Sequence, residues 1–131
     1  MKTVEVKTAE LSGSALDWAV AKSVPQKYWP VIVRGLVYLD NECEHIPYSP
    51  SNDWSQCGPL IEKHKAFPAR YDDECEDATE ATRFFCSYGS LLDMNTYCEG
   101  PTPLIAACRA IVAAKLGETV SVPVELLEVA E

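Results

Sequence analysis

Polar and apolar residues alternate along Thr3-Val4-Glu5-Val6-Lys7 and again along Thr119-Val120-Ser121-Val122, the period-two pattern of a half-buried strand. Between them the period changes. From Ala9 to Lys22, Leu11, Ala15, Trp18 and Ala19 recur at helical spacing, Leu16 and Val20 widen that face, and Ser14 and Asp17 lie away from it. Thr8 reads as the N-cap of this helix and Pro25 as its stop. Gly13 inside it costs about 1 kcal/mol relative to alanine, a position suited to close packing. Residues 28–40 are β-rich: Val31, Ile32 and Val33, then Leu36 to Leu39, with Arg34-Gly35 read as a bend or bulge. The polar stretch from Asn41 to Ser51 reads as a loop. Ser51 can cap a single helical turn that Gly58-Pro59 stops, after which residues 59–63 enter a short strand.

The clearest element is the helix over 102–116. Thr102 is its candidate N-cap, Pro103 suits its first position, and Gly117 suits the left-handed residue that ends it. Leu104, Ile105, Cys108, Ile111, Val112 and Leu116 fall on one arc and Ala106, Ala107, Ala110, Ala113 and Ala114 on the other; only Arg109 and Lys115 are charged. A helix apolar on nearly every side is buried on nearly every side. The alanine arc lets another backbone come close, and the 9–22 helix is its natural partner. The pattern therefore predicts one α+β domain over 1–131, with helices 9–22 and 102–116 packed on a small, mainly antiparallel sheet drawn from 3–7, 30–39, 59–63 and 119–122. A last helical turn is expected from Pro123, with Leu126 and Leu127 packing.

Charge changes the picture in one place. The chain of 131 residues carries a net charge of -9, and residues 71–99, with one basic and eight acidic groups, supply most of it. Asp72, Asp73, Glu74, Glu76 and Asp77 crowd into an irregular excursion, anchored to the core by Phe84, Phe85 and Cys86. Such a chain repels phosphate backbones, so direct nucleic-acid binding is not expected. No basic start with an apolar run opens the sequence, and the longest low-charge stretch is too short to span a bilayer, which places the protein in a cytosol. The six cysteines are then expected as free thiols, with a Cys75–Cys86 or Cys86–Cys98 contact open on spacing alone.

Candidate chemistry is sparse. No two cysteines stand close enough for a local zinc loop, and neither a metal nor a cofactor is expected. Cys57, in a turn ended by Gly58-Pro59, with His45 or His64 approaching, is the nearest thing to a nucleophile; an ordinary half-buried cysteine explains it as well. No phosphate loop, zinc-protease helix or nucleophile elbow occurs, so an enzyme is not expected. The best candidate site joins the turn of Tyr48, Ser51, Asp53 and Trp54 to the helix entry at Gly100 and Thr102. Tyr48 and Trp54 can stack on a planar ligand, Asp53 can accept from a ribose or amine, and Gly100 leaves room for close approach. The start of the helix favours an anion, and Arg109 can neutralise a phosphate if the fold brings it round. The plainer reading is structural: Trp54 fills the core, while Asp53 and Thr102 cap helices.

Three blocks carry a resemblance. They are Thr8-Ala9-Glu10-Leu11-Ser12-Gly13 with Ala15 to Ala21; Tyr48-Ser49-Pro50-Ser51 with Asp53-Trp54 and Gly58 to Glu62; and Gly100 to Ala107 with Ala113 to Gly117 and Val122-Pro123. In order and content the sequence resembles a family of small proteins encoded by tailed phages and prophages, catalogued as a domain of unknown function. The resemblance implies a phage accessory role in the cytoplasm of the bacterial host, and supplies no activity or catalytic residue to carry over. The expected function is binding: of a small anionic or nucleotide-like ligand, such as the signal of a host defence. The alternative is that the acidic run imitates a phosphate backbone and occupies a basic groove on a host nucleic-acid-binding protein. An exposed sheet edge could support a homodimer.

Overall fold

The computed structural model describes residues 2–24, 28–40, 43–72, 74, 76, 78–89 and 96–128. In chain order the strands are β1 (Thr3–Lys7), β2 (Trp29–Val33), β3 (Leu36–Asp40), β4 (His45–Pro47), β5 (Ala69–Arg70), β6 (Phe84–Cys86), β7 (Cys98–Gly100) and β8 (Thr119–Pro123). The helices are α1 (Gly13–Ser23), α2 (Trp54–His64), α3 (Pro103–Leu116) and α4 (Val124–Glu128). The α+β class is as expected. The strands, however, form three small antiparallel sheets rather than one: β1-β8, β2-β3-β4 and β5-β6-β7.

α3 is the centre. Leu104, Ala106, Ala107, Cys108, Ala110, Ile111 and Val112 are all buried, and α1, α2, β6 and β7 pack around the helix. Its ends are formed as their residue types dictate. Thr102 Oγ1 accepts from the Ile105 amide at 3.2 Å, Pro103 opens the helix, and Gly117 closes it at φ +95°. The two alternating segments find each other, with β1 and β8 paired from Thr3↔Pro123 to Lys7↔Thr119.

Four local expectations are corrected. Thr8 does not cap α1. Thr8–Glu10 is a single 3-10 turn, Leu11 is extended, Gly13 sits at φ +57°, and α1 begins only there. The Thr8 side chain is instead buried and donates to the Gly117 carbonyl at 2.6 Å. Asp17 does not lie on the open side of α1; it is 5% exposed, because α1 also meets β2, β3 and β8.

Arg34-Gly35 is a full two-residue turn. Both residues have positive φ, +53° and +76°, as a turn matched to the twist of a hairpin requires, and Val33 faces Leu36 across it. The arginine in the first position hid this. Residues 59–63 are not a strand: α2 runs through Gly58-Pro59 to His64, capped by Asp53 rather than by Ser51. Proline inside a helix costs about 3 kcal/mol. Cys57, Ile61 and His64, spaced to share one face, bury that face and offset the cost.

Around the acidic stretch, β5, β6 and β7 hold Phe84 against the core and Phe85 against the rings of Tyr71 and Tyr97, while Asp72, Glu74 and Glu76 stay exposed, so only part of the expected anchoring is made to the core. Asp73, Cys75 and Asp77 lie outside the described residues. No helix among the described residues is long and apolar enough to cross a membrane.

Candidate functional site

The seven residues proposed for one site are distributed over two corners of the molecule. The first corner is where β4 runs into α2. Tyr48 is buried and donates its amide to the Val37 carbonyl at 3.0 Å. Ser51 is buried and donates its amide to Asp17 Oδ1 at 2.9 Å. Asp53 Oδ1 accepts from the Ser55 hydroxyl at 2.6 Å and its amide at 2.9 Å, which together hold its carboxyl below the usual range. Gln56 staples the same corner, accepting from the Ser49 amide at 2.6 Å and donating to the Pro47 carbonyl at 2.8 Å. Trp54 does not fill the core; it is 59% exposed on the first turn of α2.

The second corner is where β7 enters α3. Gly100 is buried on β7, opposite Phe84, and a Cβ there would come within 3.0 Å of the Ala106 amide nitrogen. The close approach that requires glycine is therefore made by the first turns of α3. Thr102 is exposed with its hydroxyl engaged in capping. Arg109 reaches back to the chain just before this helix entry. Its Nε donates to the Leu11 carbonyl at 2.7 Å and its Nη1 to the Glu99 carbonyl at 2.6 Å, and it lines a cavity of about 540 Å³. That cavity takes in Glu10, Ser12, Thr82, Tyr97, Glu99 and Pro101; of the seven residues proposed for the site, only Arg109 lines it.

A second cavity, of about 350 Å³, adjoins it. Ala9, Tyr97 and Cys98 line both, so the two form one groove running from Arg109 past the Tyr97 ring to Lys7, Thr119 and Glu118. Tyr97 stacks on Phe85 with ring centroids 5.9 Å apart, which fixes the aromatic wall. Arg109 has no carboxylate within ion-pair distance among the described residues, and no bond to its Nη2 is formed among them. Burial holds its pKa below the usual arginine value, with the Cys98 thiol partly offsetting that. It remains a cation, half buried and held in place by two carbonyls, with donors to spare.

The cysteine reading is corrected on geometry. Cys57 is not in an open turn: it is fully buried in α2, with its sulfur 3.8 Å from that of Cys108. The hydrogen bond with Cys57 and burial together hold Cys108 protonated well above the ordinary thiol range. Cys86 and Cys98 are register partners across β6 and β7, and burial raises their thiols to about 12 and about 11. Cys57, Cys86, Cys98 and Cys108 are not in disulfides, and no metal-holding group of histidine, cysteine or carboxylate occurs among the described residues. His64 Nδ1 meets the Tyr88 hydroxyl at 3.0 Å.

A family model described as Bacteriophage P22, NinX matches residues 7–115. The chain belongs to that family. The match runs from the last residue of β1 to the penultimate residue of α3, and so takes in both corners and most of the groove. The phage resemblance read from the three blocks is thereby confirmed at the level of the family. No curated protein matches the chain.

Two residues that matter in this geometry were passed over in the sequence. Tyr97 sits in an acidic stretch and has no helical or strand neighbours of its own kind. Asp17 is a single carboxylate flanked by Leu16 and Trp18 in a helix otherwise dominated by apolar and small residues. That isolation was the available signal.

Proposed function

We propose that this member of the NinX family is a non-catalytic, phage-encoded accessory protein that binds a small anionic ligand of nucleotide type in the groove along Tyr97. The observation that carries this is Arg109, a cation on the central helix with no carboxylate partner among the described residues, lining a cavity of about 540 Å³. An unpaired, partly desolvated guanidinium is stabilised by an anion that accepts from its free edge. The Tyr97 ring offers a face for a base. Glu10 and Glu99 disfavour a bare polyanion and suit a ligand that also brings donors, as a nucleoside phosphate does through its hydroxyls and exocyclic amines. In the cytoplasm of an infected bacterium, withholding such a ligand from a host defence is the role this reading gives.

The test is a thermal-shift titration with nucleoside monophosphates, cyclic nucleotides and the matching free nucleosides. A phosphate-bearing ligand is expected to stabilise the fold by about 2.7 kcal/mol at one hundred times its Kd, with its nucleoside doing much less. Arg109→Lys, which keeps the charge and loses the fork, is expected to shrink that difference. Absence of stabilisation by every phosphate in the panel overturns the reading.

A further inference from the structure

A third cavity, of about 250 Å³, lies between α1 and the corner of β3, β4 and α2, apart from the groove of Arg109. Its lining includes Ser14 and Asp17 of α1, Tyr38 of β3, and Tyr48, Ser49 and Asn52 on the way into α2. Among the described residues that line it, Asp17 alone carries a charge. Asp17 is 5% exposed, takes the Ser51 amide on Oδ1 at 2.9 Å, and has no cation within ion-pair distance among the described residues. A carboxylate so placed lacks the opposite charge that normally accompanies burial.

We propose that this cavity is a binding pocket for an alkylammonium group, with the Asp17 carboxylate as its counter-ion and Tyr38 and Tyr48 as its aromatic wall. Three features of the pocket match that chemistry. An ammonium has three donors and no acceptor, and Asp17, Ser14, Ser49 and Asn52 supply side-chain oxygens that can receive them. Aromatic faces attract a desolvated cation, and the two tyrosines with Val37 and Leu36 leave an apolar lining for the alkyl stem. Among the described residues, no lysine or arginine borders the cavity to compete. The proposal is separate from the nucleotide reading, because an amine offers nothing to Arg109.

Calorimetric titration of the full chain at neutral pH, with three probes, tests it. Putrescine represents a free amine, Nα-acetyl-lysinamide represents a lysine side chain presented by a protein, and 1,4-butanediol is the uncharged match. At least one of the two amines is expected to bind, and whichever binds more tightly names the source; the diol is expected to bind at least about tenfold more weakly. Asp17→Asn keeps an oxygen for the Ser51 amide and removes the charge, so it is expected to fold and to lose amine binding by about tenfold or more. Tyr38→Leu keeps the charge and removes part of the wall, with a smaller loss expected. Binding of neither amine, equal binding of the diol, or full binding by Asp17→Asn overturns the proposal. Should Asp17→Asn not fold, the comparison of amine with diol and the Tyr38→Leu titration decide it.

Discussion

Asp17 and Arg109 are carried inward on neighbouring helices, one on α1 and the other on α3, and neither meets an opposite charge among the described residues. The surroundings deal with them differently. Arg109 keeps its proton at any ordinary pH, so its environment adapts to the charge, and the carbonyls of Leu11 and Glu99 turn toward it. Asp17 can take up a proton, and burial raises its carboxyl to about 6 despite the hydrogen bonds from Ser51. The half-buried charge is therefore a fixed structural tie between the N-terminal segment and β7. The other is adjustable, and the molecule bears its cost only when it is ionised.

The largest effect should come from cutting the fixed tie. Arg109→Met leaves two part-buried carbonyls without their charged donor, and is expected to destabilise the fold by about 3 kcal/mol or more, read as a lower urea midpoint. A loss well under 1 kcal/mol would mean that the guanidinium ties nothing together, and the contrast with Asp17 would vanish.

The adjustable charge should give the opposite sign. The folded pKa of Asp17 lies above its ordinary value of 3.8, so its protonated form favours the fold. Its contribution is fully present below 3.8 and is lost as the pH rises to about 6 and beyond. Asp17→Asn is therefore expected to stabilise the ligand-free protein at neutral pH, by roughly 1–3 kcal/mol, and to leave little advantage at acid pH. Urea unfolding of both proteins at a series of pH values measures this; parallel curves through that window would show that Asp17 feels no net desolvation.

The smallest effect sharpens the comparison by standing outside it. Thr102→Ala removes the N-cap of α3 and is expected to cost about 1 kcal/mol. It should leave the pH dependence set by Asp17 unchanged, since it alters no charge.

How much of this could be read from the sequence depended on how local the cause was. α3 was legible to its ends, because Thr102, Pro103 and Gly117 act within one turn of where they stand and the apolar residues between them leave no open face. β1 and β8 were legible as strands for the same reason. α2 was not, because the decision lies between Pro59, which argues locally for a stop, and the burial of Cys57, Ile61 and His64, which only the tertiary structure reveals. The Arg34-Gly35 turn was missed because arginine seldom takes positive φ, and the pairing of β2 with β3 holds it there.

The same rule separates the candidate residues. Asp53 and Thr102 were readable as caps. The partner that explains Asp17 stands 34 positions away at Ser51, and Arg109 reaches 98 positions back to Leu11. No spacing rule spans such distances, so the cavities those charges border could only be seen in three dimensions.

The pairing of β1 with β8 has a consequence for the making of the protein. The Lys2 carbonyl accepts the Val124 amide at 3.0 Å, and Thr3 lies beside Pro123, so the strand synthesised earlier has its neighbour more than one hundred positions downstream. On the ribosome, β1 must wait in solvent until Thr119–Pro123 has emerged. The two-stranded clasp closes only once both segments are free of the ribosome, when the Thr8 hydroxyl can reach Gly117 and latch them together.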